Sequence, residues 1–125
     1  MSEQPITSYR DLSVWQQAMT LAEACYGLTR SFPRDELFGM TSQIRRSAAS
    51  IAANIAEGHG REATGSFIQH LRIAQGSLKE LETHLLLASR VGITTTAKAG
   101  PALDQCQSIG KMLRALIRSL EGKKS

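Results

Sequence analysis

Apolar residues recur along this chain at spacings of three and four, the period of an α-helix that buries one face. Near the N-terminus two apolar stripes run side by side, one through Trp15 and Met19 and the other through Ala18 and Leu21. A later segment carries an unbroken heptad seam that starts at Phe67. The pattern predicts four amphipathic helices at about residues 11–32, 35–57, 64–91 and 97–121, with tails at residues 1–10 and 122–125.

Local signals set the predicted ends of these helices. Asp11 is a candidate N-cap of the first helix, and Pro33 ends that helix because the residue before a proline avoids the α conformation. The run Gly58-His59-Gly60 is expected to stop the second helix, since glycine readily adopts the left-handed conformation at a helix end. Gly92 is expected to end the third helix, and a polar connection through residues 94–101 is expected to hold the cap of the fourth.

Short connections between amphipathic helices favour antiparallel neighbours. The sequence therefore predicts an all-α fold, with one domain over residues 1–125 built as an antiparallel up-down-up-down four-helix bundle. In such a bundle the first helix lies antiparallel to the fourth, which places Cys25 and Cys106 near the same end. The residues expected to share one core are Leu12, Trp15, Ile44, Ile51, Leu71, Leu78, Leu81, Leu85, Leu113 and Ile117.

Composition agrees with packed helices. Hydrophobic residues make up 42% of the chain and aromatic residues only 5%, whereas sheets are rich in β-branched and aromatic residues. The first residues show no signal peptide, and no segment reaches the ~18 consecutive apolar residues that a membrane span requires. A cytoplasmic protein that does not enter a membrane is expected. Both cysteines lie on apolar stripes and are expected to be reduced core residues, a redox pair being the alternative.

The whole chain has a net charge of +4, and its excess of basic residues lies in the C-terminal segment. Residues 1–97 contain nine basic and nine acidic side chains, whereas residues 98–125 contain six basic and two acidic ones. Spacings of three and four place several of these cations on one face of the fourth helix, the alternative being an ordinary solvated face. The residues predicted to bind nucleic acid are Lys111, Arg114, Arg118, Lys123 and Lys124, with Arg45, Arg46 and Arg61 as a second set.

Residue patterns that carry catalysis or bind metals are missing from the sequence. A di-iron bundle needs a Glu-x-x-His pair on each of two helices, and the nearest approach is Glu80 with His84, at the wrong spacing. His70 and His84 stand ~21 Å apart along one helix, too far to share a metal. The run Gly58–Arg61 lacks the preceding strand and the Lys-Ser/Thr ending of a phosphate-binding loop. We therefore expect no enzymatic activity, no metal site and no cofactor.

Polar residues lie beside the apolar seam of the second helix. Gln43, Arg45, Arg46 and Asn54 each neighbour a position that is expected to be buried. Amide and guanidinium groups need hydrogen-bond partners when they are buried, and Glu57 or glutamates of the third helix could supply them. Two interpretations stay open: internal hydrogen bonds that fix the helix register, or a surface for a ligand or partner.

Three stretches carry a resemblance to a known family. They are Tyr9–Leu12 with Val14-Trp15, the segment from Thr41 to Gly58, and Gly76–Thr83. Through them the chain resembles the four-helix-bundle proteins encoded by 23S ribosomal RNA intervening sequences, also called S23 ribosomal proteins. The resemblance implies a bundle that assembles into a ring-like homopentamer without enzymatic activity. It also makes the chain similar to the accessory protein of diversity-generating retroelements, which binds nucleic acid and a reverse transcriptase.

Two functions follow as expectations. The first is a non-enzymatic homo-oligomer that binds structured nucleic acid, RNA in preference to DNA, through backbone charge. The basic fourth helix and the resemblance support it, and the scarcity of aromatic residues near that helix argues against base stacking. The alternative is a protein–protein assembly or adaptor scaffold, supported by the small-residue face of the second helix. Apolar stripes beyond what one core absorbs predict a homo-oligomer in both cases.

Overall fold

The structure is a computed structural model that describes residues 8–124, with side chains up to residue 123. Residues 1–7 of the predicted N-terminal tail, and Ser125, lie outside the described residues. The helices are α1 (Ser13–Thr29), α2 (Met40–His59), α3 (Thr64–Arg90) and α4 (Thr96–Lys124), with short 3-10 turns at Tyr9–Asp11 and Arg34–Glu36. The described part of the chain contains no strand.

The chain enters α1 through a capped 3-10 turn, so the prediction that Asp11 caps α1 is wrong. Ser8 Oγ accepts a hydrogen bond from the Arg10 amide at 3.2 Å, and Asp11 Oδ2 accepts one from the Ser8 amide at 3.1 Å. This reciprocal pairing is a capping box, and it stabilises the turn instead of the helix. Ser13 then begins α1, two residues later than predicted.

A second 3-10 turn delays the start of α2, which was predicted near residue 35. The segment Arg34–Glu36 forms the turn, and α2 begins at Met40. Glu36 Oε1 accepts a hydrogen bond from the Met40 amide at 3.0 Å. The carboxylate satisfies one of the N–H groups that a helix leaves free at its N-terminus, and its negative charge suits that end of the helix dipole. The start of α2 therefore lies at the residue whose amide donates a hydrogen bond to the Glu36 carboxylate.

The predicted left-handed glycine stop at the end of α2 is wrong. Gly58 and His59 continue the helix, and Gly60 at its end has a φ of −73°. Gly58 serves a different purpose, because a Cβ at this position would lie 2.7 Å from the Cβ of His70 and 3.0 Å from Cδ1 of Phe67. The missing side chain lets α2 and α3 approach each other closely.

Gly92 does end α3, as predicted. Its φ of +84° is in the left-handed region that favours glycine. The Gly92 amide donates to the Ser89 carbonyl at 3.3 Å, and the Ile93 amide donates to the Ala88 carbonyl at 2.9 Å. These two bonds form a Schellman motif, which satisfies carbonyls at the end of the helix.

The connection before α4 is shorter than predicted, and the helix is longer. Thr95 Oγ1 accepts a hydrogen bond from the Lys98 amide at 3.1 Å, which caps the N-terminus of α4. Pro101 lies inside the helix, and α4 continues to Lys124 instead of ending near residue 121. The predicted C-terminal tail is therefore helical through residue 124.

Contacts between the helices establish an antiparallel four-helix bundle, which confirms the predicted fold class. Ser50 Oγ on α2 lies 2.8 Å from Ser77 Oγ on α3, and Glu57 Oε1 lies 3.6 Å from His70 Nε2. The residue numbers fall on one helix as they rise on the other, so α2 and α3 run in opposite directions. Each helix contacts the next in chain order and α1 also contacts α4, whereas α2 and α4 lie on a diagonal of the described bundle.

One hydrophobic cluster fills the bundle. Nine of the ten predicted core residues are buried, and the exception is Trp15, which is half-buried and meets Tyr9 edge to face at 5.2 Å between ring centroids. The stripe of α1 that contains Leu21 faces the core, so the neighbouring stripe that contains Trp15 and Met19 lies nearer the surface. In α3 the buried residue at the N-terminal end is Ile68, while Phe67 is only partly buried.

The two cysteines are free thiols inside this core, as predicted. Cys25 and Cys106 are both essentially inaccessible to solvent. None of the helices within residues 8–124 has both the length and the apolar character that crossing a membrane requires.

Candidate nucleic-acid interface

The basic residues of α4 lie on one exposed stripe. Lys111, Arg114 and Arg118 follow one another at spacings of three and four, and all three are exposed. The stripe continues to Glu121, whose Oε1 lies 3.5 Å from Arg72 Nη2 on α3. The stripe therefore borders the groove between α3 and α4.

A cleft of about 350 Å³ opens in this groove. Lys79 reaches it from α3, while Lys111 and Arg114 reach it from α4. Because the two helices run antiparallel, cations that are more than thirty residues apart in sequence line the same hollow. The residues that line it are Lys79, Glu82, Cys106, Gln107, Gly110, Lys111 and Arg114.

The charges in the cleft do not cancel. Lys79 Nζ lies 3.0 Å from Glu82 Oε1, and these two opposite charges neutralise each other. Among the described residues, Lys111 and Arg114 form no ion pair. The cleft consequently keeps two uncompensated positive charges, which attract anions.

The floor of the cleft is neutral and closely packed. Gly110 is buried, and a Cβ at this position would lie 3.5 Å from Leu78 Cδ2 and 3.7 Å from Arg114 Nη1. The Arg114 guanidinium therefore lies against the backbone of α4. Cys106 is only 1% exposed, and burial raises the pKa of its thiol to about 12, so the floor carries no charge at neutral pH.

Two cations of α3 also belong to this surface, although neither was predicted from the sequence to bind nucleic acid. Arg72 and Lys79 lie within residues 1–97, where the numbers of basic and acidic residues are equal. They are recognised from the register of two antiparallel helices, which brings Lys79 into the same cleft as Lys111 and places Arg72 within 3.5 Å of Glu121. The distribution of charge along the sequence gives no information about that register.

The C-terminal lysines lie beyond the cleft. Lys123 is exposed on the last turn of α4, nine residues and ~14 Å along the helix from Arg114. The side chain of Lys124 lies outside the described residues. Positive charge at the C-terminal end of a helix interacts favourably with the helix dipole, so Lys123 has a structural reason for its place as well.

The second predicted set of arginines does not join the α4 stripe. Arg45 is half-buried: its Nε donates to Thr29 Oγ1 at 2.8 Å, and its guanidinium lies 4.6 Å from the centre of the Tyr26 ring. These contacts fasten α2 to α1. Arg61 Nη2 lies 3.0 Å from Glu57 Oε1, so its charge is compensated.

Arg46 lines a different groove, which lies between α2 and α3. This polar groove has a volume of about 440 Å³ and is lined by Gln43, Arg46, Ser47, Ser50, Ser77 and Glu80. At its edge, Asn54 Nδ2 donates to the Ser50 carbonyl at 2.9 Å. The polar cluster predicted from the sequence thus divides: Asn54 and Arg45 make internal hydrogen bonds, whereas Arg46 lines an open groove.

Metal-binding side chains are dispersed over the described residues. No group of three or more His, Cys, Asp or Glu side chains comes close enough there to hold a metal ion. His70 Nδ1 lies 3.0 Å from the Ser66 carbonyl, and its Nε2 faces Glu57 at 3.6 Å. This histidine is held by contacts within and between helices.

Known proteins share this arrangement of helices. A family model described as 23S rRNA-intervening sequence protein matches residues 10–115, which include α1, α2, α3 and most of α4. A crystal structure of a protein of unknown function from the S23 ribosomal protein family of Bacteroides thetaiotaomicron is similar, with a TM-score of 0.75 and 28% sequence identity over 83% of this chain and 97% of that chain. A comparison with curated proteins finds no match. The chain belongs to the family of 23S rRNA-intervening sequence proteins.

Proposed function

We propose that this protein is a non-enzymatic homo-oligomer that binds structured nucleic acid through the phosphate backbone. The observation that carries the proposal is the pair of uncompensated cations in the α3–α4 cleft, Lys111 and Arg114, with Arg118 next on the same exposed stripe of α4. Lysine and arginine side chains gain affinity by neutralising phosphates and releasing counterions, without reading bases. The cleft lining contains no aromatic residue on which a base could stack.

The preference for RNA over DNA rests on the family. Its members take their name from intervening sequences of 23S rRNA. Recognition by charge and shape suits a folded RNA, whose helices present phosphates and 2′-hydroxyl groups while their major groove is closed to side chains. We therefore expect a structured RNA to bind more tightly than a DNA duplex of the same length.

Self-assembly is the second part of the proposal. Large apolar side chains are exposed on the single chain, among them Phe38 at 93%, Val91 at 60% and Leu86 at 51%. Leu86 shares one exposed surface with Leu87 on α3, and contiguous exposed apolar surface is typical of interfaces. In a closed symmetric oligomer, each copy repeats the basic groove, so a modest patch becomes a continuous band of positive potential. Five copies are expected only from the resemblance to the family.

Salt dependence of binding tests the proposal directly. Changing Lys111, Arg114 and Arg118 together to Gln is expected to weaken the affinity for a structured RNA. The slope of log K against log salt should also fall by about 0.7 to 0.9 for each phosphate that the variant no longer neutralises. Fluorescence anisotropy over a range of salt concentrations measures both quantities.

A charge-matched variant controls for the change in net charge. Arg30, Arg34 and Lys98 are exposed and lie outside the α3–α4 cleft, so changing all three to Gln should leave the slope nearly unchanged. Circular dichroism and light scattering must show parental helicity and mass for both variants. Parental affinity and slope in the first variant would remove α4 from the site, and absence of RNA binding by the parent protein at low salt would remove the proposed function.

An adaptor that binds another protein is the second candidate function. It is favoured by a shallow apolar surface on α3 lined by Thr83, Leu86, Leu87 and Arg90. The absorbance ratio at 260 and 280 nm of the purified protein separates the two functions. A raised ratio that nuclease treatment lowers supports nucleic-acid binding, whereas a clean protein that is already oligomeric favours the adaptor.

A further inference from the structure

The cleft between α3 and α4 has a charge and a shape that suit one kind of phosphate. It presents Lys111 and Arg114 without acidic partners in the described part of the chain, together with the Gln107 amide, around a neutral floor. We propose that this cleft binds a phosphate monoester, and that its occupant is the terminal phosphate of the bound RNA. This inference rests on the proposed function and adds to it a preference for RNA ends.

The charge of the cleft matches a monoester better than an internal phosphodiester. Lys79 and Glu82 compensate each other at 3.0 Å, which leaves the charges of Lys111 and Arg114. A phosphate monoester carries about −1.5 to −2 at neutral pH, so it neutralises both cations. A phosphodiester carries a single negative charge and leaves one cation without a counter-charge.

The donors of the cleft also suit a group with free oxygens. Arg114 lies against the backbone of α4 at Gly110, with Nη1 3.7 Å from where a Cβ would be, and its planar fork can bind two phosphate oxygens at once. Lys111 adds a point charge and Gln107 a neutral amide from the same helix. A terminal phosphate offers three unesterified oxygens to these donors, whereas an internal phosphate offers two.

The groove favours entry of a strand end over passage of a continuous strand. The Arg72–Glu121 ion pair crosses from α3 to α4 at 3.5 Å. Arg72 precedes Lys79 by seven residues, which is ~10 Å along the helix. A strand that continued along the groove would bring its phosphates past the Glu121 carboxylate, which repels them, whereas a chain end can stop in the cleft before it.

The test compares two RNA hairpins of identical sequence, one with a 5′-phosphate and one with a 5′-hydroxyl. Each is titrated with the full-length protein at constant ionic strength and neutral pH, and fluorescence anisotropy gives the affinity. We expect the phosphorylated hairpin to bind about tenfold more tightly, the gain of about one charge-assisted hydrogen bond. The double variant Lys111→Gln and Arg114→Gln should bring that ratio to one, while the charge-matched control Arg30→Gln and Arg34→Gln should keep it.

The outcomes separate this inference from the proposed function. Equal affinity of the parent protein for the two hairpins, with the normal salt slope, overturns the terminal-phosphate site and leaves nucleic-acid binding intact. Failure of both hairpins to bind at low salt overturns the proposed function and the inference together. A ratio that persists in the folded double variant places the phosphate elsewhere and also overturns the inference.

Adenosine monophosphate identifies the source of the phosphate. If the cleft recognises the end of an RNA, the mononucleotide should displace the phosphorylated hairpin only at concentrations far above the hairpin's dissociation constant, since it lacks the other backbone contacts. Displacement at a concentration equal to that constant would make a free nucleotide the occupant, and it would overturn the assignment to an RNA end.

Discussion

Two glycines on neighbouring helices illustrate how a single missing side chain acts in this bundle. Gly58 on α2 is buried, and its Cα faces His70 and Phe67 of α3. Gly76 on α3 is exposed, and a Cβ at this position would meet no atom within 4 Å. The same residue type thus permits helix packing at one position and leaves room for a side chain at the other.

The substitution of each glycine by alanine is expected to change stability in opposite directions. Gly58→Ala should lower the free energy of unfolding by about 1 to 3 kcal/mol, because the new Cβ would lie 2.7 Å from the His70 Cβ and force the helices apart. Gly76→Ala is the matched control and should raise that free energy by about 0.5 to 1 kcal/mol, since alanine is the better helix former. Urea unfolding measures both, and changes of the same sign would contradict the packing described for Gly58.

The buried thiols predict a loss of stability at high pH. Burial raises the pKa of Cys25 from 9.0 to about 12, and burial together with the nearby Glu82 raises that of Cys106 to about 12. The folded state holds these protons more tightly than the unfolded state does. The resulting stabilisation is fully present below the unfolded-state pKa of about 9, and it is lost as the pH rises toward the folded-state pKa of about 12.

The measurement compares the parent with Cys25→Ala by urea unfolding between about pH 8 and pH 10.5. All other ionisable groups are common to the two proteins, so the difference between the two slopes isolates the thiol. The variant should lose stability less steeply than the parent above about pH 9. Identical slopes would show that the Cys25 thiol is not held protonated by the fold.

Among the helices, α3 shows most clearly how one element serves two surfaces. Its heptad seam is buried from Leu71 onward, and Leu78 within it is 2% exposed. The next residue, Lys79, points away from the core with a side chain that is 75% exposed, and it lines the basic cleft. Adjacent residues therefore contribute to the core and to the candidate site, because successive helical positions lie about 100° apart.

Alanine substitutions at these two neighbours test that register. Leu78→Ala should lower the free energy of unfolding by about 2 to 5 kcal/mol, the cost of a cavity in a packed core. Lys79→Ala should cost less than about 1 kcal/mol, because it removes an exposed ion pair with Glu82. A decrease under about 0.5 kcal/mol for Leu78→Ala would refute its place in the seam.

For the bundle as a whole, the apolar side chains that the core leaves exposed predict self-association. Light scattering at micromolar protein concentration should give a mass that is a multiple of the chain mass of 13.6 kDa. Changing Leu86 and Leu87, which are 51% and 45% exposed on α3, to Ser should lower that mass if their shared surface is an interface. A parent protein that scatters as a single chain would contradict the predicted assembly.

Spacing along the chain was enough to predict the number of helices, their order and the buried face of α3. Each of these features depends on a single helix. A buried face of three to four residues per two turns gives apolar residues at spacings of three and four in any bundle. The end of α3 at Gly92 could also be predicted from the sequence, because the left-handed backbone conformation at a helix end favours glycine whatever packs nearby. The starts of α1 and α2 differ from the prediction because the side chains of Ser8, Asp11 and Glu36 accept hydrogen bonds from nearby backbone amides, and periodicity does not show such bonds.

Packing between the helices determines which apolar stripe of α1 faces the core, why position 58 requires glycine, and which cations line the same cleft. Each depends on the register between helices that are distant in sequence, and periodicity within one helix carries no information about that register. Lys111 and Arg114 could be placed on one face of α4 from their spacing, but their meeting with Lys79 required α3 and α4 to pack antiparallel. The two uncompensated charges of the cleft become visible only in that packed geometry, where Glu82 neutralises Lys79 and does not reach the cations of α4.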